Sequence, residues 1–226
     1  DGDERGEVEE SGRHIEPPQP CVTLVHGRSI APSGPGRAWY PGRPLLVTRN
    51  APRLGLSNGD PRVALTGPAY VRPIVEAAHK RNIPIVLDAD RPTTEDDPLF
   101  GLATHIIFSS ECLRATTKID DLAQGLKRMK PRVNGFLAVS NGPGDVIYIE
   151  GGKLKTMPVF RIEAVDTLAA GDVFHAGFAM GVAEGRDMVA SMRLGAAAAG
   201  LKCTRFGGSM GAPKRAEVDA FLANQR

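Results

Sequence analysis

In the stretch AVDTLAAGDVFHAGFAMG, residues 164–181, a carboxylate stands where an apolar helix is about to begin. A β-like run closes in Asp166-Thr167, the mostly small run Leu168-Ala169-Ala170-Gly171 follows, and then comes Asp172. Small residues let the backbone come close to a ligand. Amides at a helix N-terminus have no carbonyl four residues back, and together with the helix dipole they favour an anion. Asp172 could simply cap the helix, a contribution of about 1 kcal/mol. It could also accept a proton from an attacking hydroxyl while the amides stabilise charge on a transferring phosphoryl group. Spacing alone leaves both readings open.

A carboxylate doing chemistry must be placed by larger elements. Short apolar runs at 21–26, 44–50, 61–67, 83–90, 104–110 and 136–142 read as strands. Helical spacing appears at 70–82, where Pro73 must sit in the first turn, and at 120–130, 170–184, 187–202 and 214–224. The segment 146–160 reads as a hairpin about Gly151-Gly152. Its GGKLKT superficially suggests a phosphate loop but lacks the required spacing. Buried strands alternating with helices imply a mostly parallel sheet covered on both faces. Ligands of such folds collect beyond the C-terminal strand ends, where Asp88, Ser109, Glu111, Ser140 and Asp166 fall.

The motif Asp166-Thr167-x-Ala169-Ala170-Gly171-Asp172-x-Phe174 resembles the C-terminal signature of the ribokinase-like (PfkB) carbohydrate kinases, usually D-T-x-G-A-G-D-x-F. GLKCTRFGGSMGAP, residues 200–213, resembles the family segment that closes the nucleotide pocket and often helps hold a monovalent cation. EVDAFLANQR resembles the end of ribokinases, and GDVFH with LKCTRxGG leans toward members acting on sulfofructose. The resemblance implies a three-layer, Rossmann-like α/β fold and an ATP-dependent kinase of a sugar or sugar acid. It makes Asp172 the catalytic base and Ala169, Ala170 and Gly171 the anion hole. Glu111, in FSSEC, matches a glutamate that orients Mg²⁺ through water, with Phe108 standing where asparagine is usual. In SNGPG, Ser140 and Gly142 match a nucleotide turn whose second glycine is displaced to Gly144. Thr167 and Gly208 join the nucleotide side, and Asp166, Arg205 and Gly207 the metal side, where K⁺ is a further expected ion. Ala169 replaces the motif's first glycine, which costs strain if that position needs a positive φ.

The resemblance is good from about residue 62 onward, thin over 21–61, and lacks the family's N-terminal part, which brings a sugar-binding aspartate and the lid sheet. The expected organisation is therefore a disordered acidic tail over 1–20 and one α/β domain over 21–226 with an incomplete lid. Two other readings stay open. One is a degenerate relative that binds nucleotide with little catalysis. The other, a dehydrogenase, is disfavoured because no strand precedes a G-x-G-x-x-G.

Bulk properties narrow the field. Of the 226 residues, 42% are apolar and 24% charged, an ordinary globular balance. No apolar run approaches the roughly 20 residues of a membrane helix. Cys21, Cys112 and Cys203 show neither metal nor disulfide spacing, so a cytoplasmic location is expected and Cys112 and Cys203 read as small core residues. Seven acids crowd residues 1–20, leaving the remaining chain 26 bases against 19 acids. That mildly basic body suits an anionic ligand. No basic stripe interleaved with aromatics points to nucleic acid. A small-molecule sugar is the expected partner, with a homodimer as the one assembly considered. His175, one turn into the helix, reads as a partly buried helix histidine, and Gly177, Gly181 and 195–200 read as close helix packing.

Overall fold

The computed structural model describes residues 75–225 and the backbone of two strands before them, β1 (Val22–Val25) and β2 (Leu46–Val47). The acidic tail, the expected strand over 61–67 and the Pro73 turn lie outside the described residues. The remaining strands are β3 (Ile85–Ala89), β4 (His105–Ser109), β5 (Phe136–Asn141), β6 (Gly144–Glu150) and β7 (Lys153–Met157). Helices are α1 (Pro98–Leu102), α2 (Ser110–Thr117), α3 (Leu122–Met129), α4 (Ala170–Ala183), α5 (Met188–Cys203) and α6 (Arg215–Ala223), with a further helical stretch over 75–79. The five-residue α1 and the separate α2 were not expected from periodicity, being too short to show it.

One sheet runs in the order β2-β1-β3-β4-β5-β6-β7. Its centre, β1-β3-β4-β5, is parallel, and β2, β6 and β7 are antiparallel additions. The antiparallel edge follows from turn length, since two-residue turns can only reverse a strand. Gly142-Pro143 separates β5 from β6, and Gly151-Gly152 separates β6 from β7. Both hairpin glycines hold positive φ, 57° and 74°.

Side chains alternate across this sheet. Ile85, Leu87, Ile106, Phe108, Leu137 and Val139 pack on one face with Val75, Leu99, Leu113 and Leu126. Val86, Ile107 and Ala138 point to the other, against Phe174, Phe178 and Met192 of α4 and α5. The period-two alternation also puts Asp88 on the α4 side, two residues beyond Val86. The helices of the α4 face pack backbone to backbone. A Cβ on Gly195 would lie 2.5 Å from the Phe174 carbonyl, and one on Gly177 2.8 Å from the Gly195 Cα. Cys112 and Cys203 are buried core residues, and burial pushes the Cys112 thiol up to about 12.

Two stability outcomes follow. Gly195→Ala forces α4 and α5 apart and should cost roughly 1–3 kcal/mol in chemical denaturation. Gly101→Ala, with nothing within 4 Å, should be neutral or stabilising. His105 is wedged against Phe136 and Phe178, and burial lowers its imidazole to about 4. The unfolded chain then binds the extra proton first. The contribution is fully present above pH 6.5 and lost as pH falls through about 4. Midpoint against pH should fall over that window, and His105→Leu should flatten it.

Candidate active site at the head of the fourth helix

The chain enters α4 through Ala169, whose φ of 64° and ψ of 14° are left-handed. The replaced glycine therefore does fall where a Cβ is strained, at a cost of order 1 kcal/mol. The longer helices start differently. Ser109 accepts from the Cys112 amide, Asp121 from Gln124 and Asp187 from Ala190. At α6, the Glu217 carboxylate accepts from the Lys214 amide. No side chain caps α4. The first turn of α4 lines the cleft with its backbone, and Asp172 stands in that turn, half-buried.

Asp166 anchors this turn. One oxygen accepts from the Leu168 amide at 2.8 Å. The other accepts from the Gly207 and Gly208 amides, each at 3.0 Å, and from Lys202 Nζ at 3.1 Å. Lys202 Nζ also donates to the Asp166 carbonyl at 2.6 Å, and its side chain is fully buried. The Gly208 amide first, then the Leu168 amide and Lys202, hold the Asp166 carboxyl well below the usual carboxylate range. The Cys203 carbonyl accepts from the Val165 and Asp166 amides, so the end of α5 grips the same segment.

Facing α4 is a cleft of about 380 Å³ lined by Asp88, Asp90, Ser109, Ser140, residues 167–172, His175 and Ser209. Its floor is the C-terminal edge of the parallel strands, where Ser109 and Ser140 are register partners. Ser140 Oγ donates to the Phe108 carbonyl at 3.3 Å. His175 is 2% exposed, deeper than the partly buried helix histidine expected. Its Nδ1 lies 2.7 Å from the Gly171 carbonyl and 3.2 Å from Asp88 Oδ2, and its Nε2 lies 3.3 Å from the Ile107 carbonyl. The ring thereby ties the first turn of α4 to β3 and β4.

The structure thus gathers Asp172, Ala169, Ala170, Gly171, Thr167 and Ser140 around one cleft, with Asp166 and Gly208 clasped behind it. Gly142 is at the exposed tip of the β5–β6 hairpin with φ 56°, and Gly144 begins β6. Glu111 is exposed in the first turn of α2, outside the cleft lining. Arg205 was expected on the metal side, but a guanidinium has donors only, and this one pairs with Glu217. The Gly207 amide likewise donates, to Asp166. Sequence reasoning did not single out Lys202, Asp90 or Ser209. The lysine has no local signal, since its partner is 36 residues away.

Among the described residues no cluster of three or more His, Cys, Asp or Glu side chains could hold a metal by itself. Mg²⁺ needs no such cage. It keeps several waters and is held by phosphate oxygens with one or two carboxylates, for which Asp90 on the cleft wall is suited. None of the described helices is long and apolar enough to cross a membrane.

Comparison with known proteins identifies the family. The pfkB family carbohydrate kinase profile matches residues 65–215, more than half of the chain. The ribokinase of Bacillus subtilis is 41% identical over 87 residues, which is 38% of this chain and 30% of that protein. The crystal structure of ribokinase from Thermotoga maritima is 26% identical with a TM-score of 0.56, over 67% of this chain and 52% of the other. Arabidopsis thaliana ribokinase, solved with ribose and ATP, shares the fold at 24% identity and a TM-score of 0.61, over 66% of this chain and 50% of the other. The chain therefore spans about a third to a half of the length of these relatives. By its fold and these matches, the chain belongs to the pfkB family of carbohydrate kinases.

Proposed function

We propose that this chain carries the phosphoryl-transfer half of an ATP-dependent sugar kinase, with Asp172 as the general base. One observation supports this above the rest. A carboxylate stands among the amides of a helix start that no side chain caps, facing a cleft at the strand ends. An anion of the size of a phosphoryl group satisfies those amides and the helix dipole together.

In this reading Asp172 takes the proton of the sugar hydroxyl as that oxygen bonds to the γ-phosphorus. The bond from phosphorus to the β–γ bridging oxygen breaks, and ADP leaves with that electron pair. The amides around Ala169, Ala170 and Gly171 stabilise the charge on the equatorial oxygens. Bound Mg²⁺ would neutralise charge on the phosphates, with Glu111 reaching it through water. Ser140, Gly142, Gly144, Thr167 and Gly208 form the nucleotide side, where Gly142 lets the hairpin tip turn without a Cβ. The basic body of the chain favours approach of a polyanionic nucleotide. Arabidopsis thaliana ribokinase was solved with ribose and ATP, so those are the first substrates to test.

Transfer of the γ-phosphate from ATP should be assayed across a panel of pentoses, hexoses and sugar acids. Asp172→Asn should lower turnover by about 100-fold or more while leaving nucleotide binding within a few-fold. Nucleotide-induced thermal stabilisation without transfer to any sugar would instead support a binding protein that has lost catalysis. Ala169→Gly should relieve the left-handed strain, raise the melting temperature by roughly 2–4 °C and leave transfer intact. An unchanged or lowered melting temperature would contradict the strain.

A further inference from the structure

The resemblance to family members that hold a monovalent cation makes Asp166 a candidate ligand for K⁺, and the donor set can be tested against that ion. A carboxylate offers about four lone-pair sites. Four N–H groups already surround it: the Leu168 amide on one oxygen, which keeps one site, and the Gly207 amide, the Gly208 amide and Lys202 Nζ on the other, which has none left for a cation. The Asp166 carbonyl, the next oxygen a cation would use, accepts Lys202 Nζ at 2.6 Å. A K⁺ ion in contact with the oxygens that Lys202 binds would lie within a few ångströms of the ammonium, where like charges repel. The carbonyl oxygen and this carboxylate oxygen of Asp166 do not fit an added monovalent cation, because a cation of the chain's own holds both.

We propose that the Lys202 ammonium is a built-in substitute for the monovalent cation, fixing the anion cradle without K⁺. The lysine is well suited to this. Its side chain is 0% exposed, so its charge acts at short range and little screened by water. A lysine ammonium is a compact point charge with three donors. It spends two of them on Asp166, at the carbonyl and at the carboxylate. The stem rises from the last turn of α5, and the neighbouring Cys203 carbonyl binds the Val165 and Asp166 amides. Lys202 therefore locks α5, the 207–208 loop and the turn entering Ala169 into one unit. Loss of the ammonium would leave the Asp166 carbonyl without that donor and the carboxylate with its three amides but no counter-charge, an arrangement that an outside cation could relieve.

The inference rests on the kinase reading only for why a cation would matter, and its test needs no turnover. The melting temperature of the whole chain and its Kd for a non-hydrolysable ATP analogue with Mg²⁺ should be measured in KCl, NaCl, CsCl and tetramethylammonium chloride at equal ionic strength. The unaltered chain should melt within about 1 °C and bind within about twofold across the four salts. Lys202→Met should melt lower, and K⁺ should restore part of the loss where tetramethylammonium does not. A rise of several degrees, or of more than about threefold in affinity, for the unaltered chain in K⁺ over tetramethylammonium overturns the proposal. A Lys202→Met chain that folds and stays indifferent to K⁺ also overturns it. If that variant does not fold, Lys202→Arg, which keeps the charge, should fold and remain salt-independent, and K⁺ dependence in it would count against the substitution. Salt independence with no phosphoryl transfer would sink only the kinase reading.

Discussion

The site depends on one carboxylate that does no chemistry in this account. Asp166 gathers three backbone amides and a buried ammonium within hydrogen-bond distance, from three separate parts of the chain. Without that convergence the turn from Val165 to Ala169 would be a surface loop, since Val165 and Leu168 are largely exposed. With it, the turn enters α4 at a fixed angle and Ala169 is held in a left-handed conformation that alanine disfavours. Strain of this kind persists only where the surroundings over-determine the backbone, and it gathers at working sites.

A second set of contacts fixes the same helix start from below. His175 reaches back to the Gly171 carbonyl and across to Asp88 and the Ile107 carbonyl. The sheet edge and the helix head therefore move together. In the proposed transfer, a helix start without a side-chain cap, a carboxylate and a fixed floor would leave little reorganisation for the moment of reaction. The backbone-to-backbone packing of α4 on α5 serves the same end, because Lys202 and Asp172 lie on those two helices.

Much of this was legible in the residues. The short apolar runs at 83–90, 104–110 and 136–142 read directly as strands buried on both faces, and Gly151-Gly152 as a reversal. The carboxylate at 172 behind its small run marked the cradle. Other parts were not legible, for physical reasons. Lys202 sits in a helix end whose text would suit a solvated lysine, and only the fold brings Asp166 to it. His175 and Asp88 lie on elements far apart in sequence, so neither announces the pair. Position 169 showed the right residue class without its φ, which is set by the turn and the clasp around it. At Glu111 the spacing was suggestive but carried no distance: the side chain is exposed in the first turn of α2, outside the cleft lining.

The claim at the centre is that the amides at the head of α4 hold phosphate. The most direct measurement is amide chemical shifts by NMR as the chain is titrated with ATP and Mg²⁺ and, separately, with adenosine. The account predicts that the Ala170, Gly171 and Asp172 amides shift strongly with ATP and little with adenosine. Amides that stay unmoved by ATP while the nucleotide binds elsewhere would contradict it.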